Sequence, residues 1–307
     1  MKKLNKHYIG LAVAILAYAA LTLLTPTEQS VLSRYGVTNG QAALIKMTVV
    51  IPSVLIWLGA FYGLVRIKDY AFHIRDTKDG KAFSLIARGL TWLVYGLPVT
   101  AVVNSTANYL RIQDPGMKPM LTIINNYVSI AVVLIGFYII YKGTRQLVDM
   151  LQYKIYSERH ALLLAGFALF STAFTYVTLT NPYREAASPI TNRAAYYLSD
   201  PLLILTIIIP YVALWYFGFS AAYHIFEYQK RVQGVLYKQA IKWLALGLGA
   251  VVISSMAVRY FVSLTTLVNS LNLRLLLVVV YVLLFVISAG YILIAMGAKK
   301  LKLLEEA

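Results

Sequence analysis

The chain consists of long apolar runs separated by short polar stretches. Eight runs are long enough to cross about 30 Å of hydrocarbon, which takes about 20 helical residues. They lack the alternation of barrel strands, and a helix satisfies its own backbone hydrogen bonds in lipid. The pattern therefore predicts an all-α integral membrane protein with eight transmembrane helices, at residues 8–24, 42–65, 82–103, 119–141, 161–179, 201–226, 239–262 and 273–297.

Basic residues concentrate in every second polar stretch. With the N-terminus on the cytoplasmic side, 20 of the 28 Lys and Arg residues are cytoplasmic and 8 are external. Short loops follow the positive-inside rule, so both termini are predicted to be cytoplasmic. We expect the protein in the cytoplasmic (inner) membrane of a prokaryote, with anionic lipid as a partner at the cytoplasmic face.

Composition agrees with a membrane protein. Of the 307 residues, 60% are hydrophobic and 13% charged, with a net charge of +16. In a soluble protein this charge would suggest nucleic acid, but its distribution indicates membrane orientation instead. The chain has no cysteine, which excludes disulfides, thiolate metal ligands and a cysteine nucleophile.

The first apolar run, with the basic stretch MKKLNKH before it, is also typical of a signal peptide. The same basic-then-apolar layout recurs in mid-chain from residue 154. Since no signal-peptidase site is expected there, we interpret the first run as a retained helix.

An internal repeat links the two halves of the sequence. TVVIPSVLIW at 48–57 and TIIIPYVALW at 206–215 nearly match at a spacing of 158 residues. Further matched pairs are Tyr70 with Tyr228, Gly89 with Gly247 and, at a spacing of 154, Gly136 with Gly290. The chain is therefore predicted to be a tandem duplication of a four-helix unit, with a first unit at 1–153 and a second at 154–307.

An even number of helices gives the two units the same orientation. The predicted relation is a pseudo-two-fold axis along the membrane normal, as in parallel-repeat transporters.

The repeated decapeptide predicts a kink in the second helix of each unit. Pro52 and Pro210 each free the carbonyl four residues earlier, which belongs to Thr48 and Thr206 respectively. The two polar kinks are candidates for a shared ligand site. The alternative is that they only shape the bundle, because proline is common in transmembrane helices.

Two basic residues interrupt the apolar pattern near the predicted external face. Lys46 lies in the second helix and Arg259 in the seventh. Charges inside a membrane need a partner or a task, so these residues join the candidate ligand site. The alternative is that both side chains reach to the interface.

A second group of polar residues flanks the external loop between the third and fourth helices. Its members are Asn104, Tyr109, Arg111, Asn125 and Asn126. They are candidates for an outward-facing polar pocket. Alternatively, the asparagines cap helix ends and turn the chain.

Sequence motifs of catalysis, metal binding and cofactor binding are not found, so we predict a protein that is not an enzyme. The leading hypothesis is a transporter or permease-like protein for a small solute or lipid, with its site between the repeats. The alternative is a non-catalytic scaffold or accessory subunit that binds membrane proteins or its own copies. A lipid-modifying membrane enzyme is a third reading.

Overall fold

The computed structural model describes residues 2–24, 38–114, 117–151, 158–179, 201–267 and 273–306. This part of the chain is helical and contains no β-strand. Its eight helices are α1 (Lys2–Leu24), α2 (Asn39–His73), α3 (Lys78–Gln113), α4 (Lys118–Asp149), α5 (Glu158–Leu179), α6 (Pro201–Arg231), α7 (Val235–Leu267) and α8 (Leu273–Glu306).

Each predicted apolar run lies within one of these helices. Across the described residues, five helical spans are long and apolar enough to cross a membrane: Asn39–His73, Lys78–Ala107, Tyr127–Asp149, Val235–Ser254 and Tyr281–Glu306. Two further apolar helical stretches, Ile9–Leu24 and Ala161–Phe170, are shorter. The structure is therefore that of a helical protein with several membrane-length helices.

Most helices are longer than the apolar runs within them. α2 has 35 residues and α3 has 36, which at a rise of about 1.5 Å per residue is over 50 Å. That length exceeds a hydrocarbon core of about 30 Å, so these helices continue beyond it. The C-terminal segment KKLKLLEEA, expected just past the last helix, is helical as far as Glu306.

Several polar contacts gather at one end of the bundle. Lys302 of α8 donates to Asp69 of α2 over 2.8 Å, and Lys300 of α8 donates to Gln239 of α7. The end of α8, the α2–α3 turn and the α6–α7 turn therefore lie together. We call this the basic end, because the stretches that meet there carry most of the predicted cytoplasmic Lys and Arg residues.

Capping residues set where α2 and α3 begin. The Thr38 side chain accepts a hydrogen bond from the Gln41 backbone amide, and the Gln41 side chain accepts one from the Thr38 amide in return. Thr77 accepts from the Gly80 amide over 2.9 Å. Such bonds satisfy amides that a helix start leaves unpaired. At the α6–α7 turn Gly234 has φ +87°, which only glycine adopts without strain.

The extensive helix contacts form a closed circuit. Following the packing leads from α2 to α3, α4, α6, α7, α8 and back to α2. α1 packs outside this circuit on α2 and α3, and α5 packs outside it on α6 and α7. Two of the circuit contacts, α2 with α8 and α4 with α6, join the predicted first and second units.

Glycines allow the helix pairs α3–α4 and α7–α8 to approach closely. A Cβ added at Gly89 would lie 2.7 Å from the carbonyl oxygen of Gly136, and one added at Gly247 would lie 2.5 Å from that of Gly290. Real Cβ atoms do not come so near, so both contacts are backbone to backbone. Membrane helices commonly associate through such small residues.

Candidate functional site

Four polar side chains meet at the basic end, between the two predicted units. Tyr70 lies near the end of α2 and Asp79 near the start of α3. Tyr228 lies near the end of α6 and Tyr237 near the start of α7. The Tyr70 and Tyr237 hydroxyl groups are 3.2 Å apart. Tyr228 lies beside the Asp79 carboxylate and the Tyr237 hydroxyl. We call these four residues the inner polar cluster.

Two members of the inner polar cluster are buried, and the other two, Asp79 and Tyr237, are half-buried. Tyr70 has no exposed surface and Tyr228 retains 4%. The Phe83 ring meets the Tyr70 ring edge-on, with the ring centroids 4.9 Å apart. Buried hydroxyl and carboxylate groups are costly unless they are paired, so the four residues depend on one another.

Two contacts within the inner polar cluster are related to each other by the internal repeat. A shift of 158 residues places Tyr70 on Tyr228 and Asp79 on Tyr237. The Tyr70–Tyr237 contact therefore corresponds to the Tyr228–Asp79 contact. Each contact joins one unit to the other. Sequence comparison aligned the two tyrosines but gave no sign that they meet, because the partners on α3 and α7 differ in residue type.

Thr48 makes a second polar contact between the units, toward the other end of α2. Its hydroxyl donates to the Ile45 carbonyl oxygen over 2.7 Å, the local bond that is typical of threonine within a helix. It also accepts a hydrogen bond from the Tyr281 hydroxyl of α8. Thr48 is otherwise exposed on the surface of α2.

The remaining members of the predicted ligand site are only partly described. Pro52 is buried within α2, Lys46 is half-buried and Pro210 is half-buried within α6. The side chains of Thr206 and Arg259 lie outside the described residues. In the packing circuit, α2 has its extensive contacts with α3 and α8, while α6 has its extensive contacts with α4 and α7.

The predicted outer polar pocket falls on helices that are longer than expected. Asn104 and Tyr109 are exposed residues within α3, and Asn125 lies within α4. The side chains of Arg111, Asn125 and Asn126 lie outside the described residues.

The caps at these two helix ends are other residues, Asp114 for α3 and Met117 for α4. The alternative interpretation of the asparagines as helix caps is therefore wrong, because hydropathy marks where apolar residues stop and not where the helix stops.

In the described part of the chain, no group of three or more His, Cys, Asp or Glu side chains is placed to hold a metal ion. The chain was also compared with known proteins: no family model, curated protein or solved structure matches it.

Proposed function

We propose that the chain is a transporter or permease-like protein for a small solute or lipid, built from two parallel four-helix units that cross the membrane eight times. Both termini would be cytoplasmic and the basic end would face the cytoplasm of a prokaryote. The correspondence of contacts supports the duplication: α3–α4 and α7–α8 meet at matched glycines, and α2–α8 and α4–α6 are matched pairings.

The observation that carries the transport proposal is a set of polar contacts between the units, found at the basic end and toward the other end of α2. Near one end α8 bonds to α2 through Tyr281 and Thr48, and at the basic end the inner polar cluster joins α2 to α7 and α3 to α6. Hydroxyl and carboxylate groups that separate can pair with water, whereas separated apolar faces cannot. Such contacts suit an interface that opens and closes.

Parallel-repeat transporters move one unit against the other around a site near the midplane. The inner polar cluster would then be the closure on the cytoplasmic side, and the Thr48–Tyr281 contact would hold the opposite end. Lys46 and Arg259, if they face the space between units, would favour an anionic ligand. The proline kinks at Pro52 and Pro210 would let each helix bend during the movement.

The test is transport by the purified chain in proteoliposomes. Uptake would be measured for a panel of anionic, zwitterionic and cationic solutes, together with transbilayer movement of a fluorescent phospholipid. A hydrogen bond contributes about 1 kcal/mol, so Tyr70→Phe with Tyr237→Phe should shift the opening equilibrium about fivefold and change the flux accordingly.

The matched control is Tyr138→Phe on α4. Tyr138 is partly exposed, and its hydroxyl has no hydrogen-bond partner among the described residues. Its flux should equal that of the unmodified protein. Absence of transport for every probe by correctly folded protein would contradict the proposal, and so would unchanged flux in the double variant. Pro52→Ala and Pro210→Ala test the kinks, since unchanged flux in both would remove them from the mechanism.

A scaffold or accessory subunit is the second candidate. It is favoured by the continuous apolar core, which runs through both units without interruption from α1 to α8. A scaffold would show no flux and would co-purify from native membranes with a stoichiometric partner chain.

A further inference from the structure

A groove lies between α2 and α3 near the basic end. Its volume is about 530 Å³. Three basic residues line it: Lys68 and Arg75 from α2, and Arg88 from α3. Thr91 and two exposed aromatic residues, Phe72 and Trp92, also line it. We call it the basic groove.

The positive charge of the basic groove is mostly uncompensated. Among the described residues, neither Lys68 nor Arg88 has a carboxylate within ion-pair distance. Arg75 lies 3.5 Å from the exposed Asp76 carboxylate and stacks over the Phe72 ring at 5.0 Å.

Other acidic residues of these helix ends point elsewhere. Asp69 pairs with Lys302 of α8, and Asp79 belongs to the inner polar cluster. Neither of these two carboxylates therefore neutralises the groove.

The groove also extends from the helix ends toward the apolar zone. Trp92 lies 14 residues beyond the first residue of α3, which is about 21 Å along the helix axis. Phe72 and Trp92 have 68% and 45% of their surface exposed. Trp92 lies midway along the predicted apolar run 82–103, and the groove reaches from the helix ends into the apolar zone. The groove has basic side chains toward the helix ends and an aromatic ring toward the apolar zone. This arrangement matches a ligand with an anionic head and an apolar body.

The residues that line the groove are replaced at the corresponding place in the second unit. A shift of 158 residues puts Phe226 where Lys68 stands, Leu246 in place of Arg88 and Gly249 in place of Thr91. The Phe226 ring lies 3.4 Å from the position that a Cβ on Gly249 would take, so the ring fills this space. The groove is therefore not a general consequence of two packed helices. It depends on residues that distinguish the first unit from the second.

We propose that the basic groove binds the phosphate headgroup of an anionic phospholipid. The glycerol and acyl chains would lie along Trp92, at the end of the groove nearest the apolar zone. Lys68 and Arg88 hold the phosphate as charge partners, and Thr91, whose hydroxyl donates to the Ala87 carbonyl oxygen over 2.7 Å, lines the groove beside them. This assignment is independent of whether the chain transports a solute.

The test uses the full chain purified in a maltoside detergent. Phosphatidylglycerol, phosphatidylcholine and inorganic phosphate are titrated separately, and binding is measured by native mass spectrometry and by the shift in melting temperature. Phosphatidylglycerol with brominated acyl chains should quench tryptophan fluorescence, and this quenching should fall in Trp92→Phe. We expect phosphatidylglycerol to bind at least about tenfold more tightly than phosphatidylcholine.

Two groove variants and one matched control separate this site from general attraction to charge. Lys68→Gln with Arg88→Gln should weaken phosphatidylglycerol binding about tenfold or more. Lys68→Phe with Thr91→Gly copies the filled arrangement of the second unit and should have the same effect. The control, Lys238→Gln with Lys242→Gln, removes two exposed basic residues of the second unit and should bind as the unmodified protein does.

The proposal is overturned if phosphatidylcholine binds as tightly as phosphatidylglycerol, or if the control loses as much affinity as the groove variants. Binding of inorganic phosphate as tight as that of the lipid would also overturn it, by assigning the site to the free ion. If one groove variant does not fold, the other is compared with the control. The quenching measurement with Trp92→Phe requires neither groove variant.

Discussion

Gly247 and Gly290 face each other across α7 and α8 with no room for a side chain at either position. We predict that Gly247→Ala destabilises the protein by about 1–3 kcal/mol, because the new methyl group must push the α8 backbone away. The measurement is the melting temperature in a single detergent. Gly89→Ala, at the corresponding contact with Gly136, should give a similar loss.

A glycine outside any contact provides the control. Nothing lies within 4 Å of the position that a Cβ on Gly166 of α5 would take. Gly166→Ala should leave the melting temperature unchanged or raise it, since alanine favours the helix by about 0.5–1 kcal/mol over glycine. Equal loss in Gly247→Ala and Gly166→Ala would mean that the close approach does not govern stability.

Matched glycines show how far sequence reasoning reaches at the scale of single residues. The alignment paired Gly89 with Gly247 and Gly136 with Gly290, but it could not show that the members of different pairs touch. Contact requires the crossing point of two helices, which no local pattern encodes. For the same reason Thr48 could be predicted to bond locally, while its partner Tyr281 could not.

At the scale of helices, the repeat predicts a contact that the described residues do not include. A shift of 154 residues places Tyr127 of α4 on Tyr281 of α8, and a shift of 158 places Thr48 on Thr206. Because α6 packs on α4 as α2 packs on α8, we predict that the Tyr127 hydroxyl bonds to Thr206.

A double-mutant cycle with Tyr127→Phe and Thr206→Val measures this contact. The coupling should be about 0.6 kcal/mol, and up to about 1.7, which is the range for hydrogen bonds between membrane helices. The cycle with Tyr281→Phe and Thr48→Val, whose contact is seen directly, sets the reference value. If the first cycle gave additive effects while the second gave coupling, the two units would differ at this contact.

The helical character of the apolar runs and the helix boundaries were predictable to different degrees. Each apolar run lies within one described helix, because a run of that length has few other ways to satisfy its backbone in lipid. The boundaries were wrong on the polar sides, as in α3, which continues from the predicted end at residue 103 to Gln113. Beyond the hydrocarbon, packing between helices maintains the helix where composition no longer requires it.

For the whole molecule, the lack of cysteine makes the predicted sidedness directly measurable. The Tyr70–Tyr237 contact places the α2–α3 and α6–α7 turns at one end, where Asp76 and Gln233 are exposed. Asp114 is exposed beyond the opposite end of α3. In intact cells a membrane-impermeant maleimide should therefore label Asp114→Cys, and should label Asp76→Cys and Gln233→Cys only after permeabilisation.

The two-unit arrangement adds a prediction for the second half of the chain. If the second unit repeats the orientation of the first, Arg193→Cys, in a segment outside the described residues, should react from the same side as Asp114→Cys. An inverted repeat would instead place it with Asp76→Cys. The unmodified chain should show no labelling at all, since it has no thiol. Reaction of Asp76→Cys and Gln233→Cys from opposite sides would contradict the packing itself, because their helices meet through the inner polar cluster.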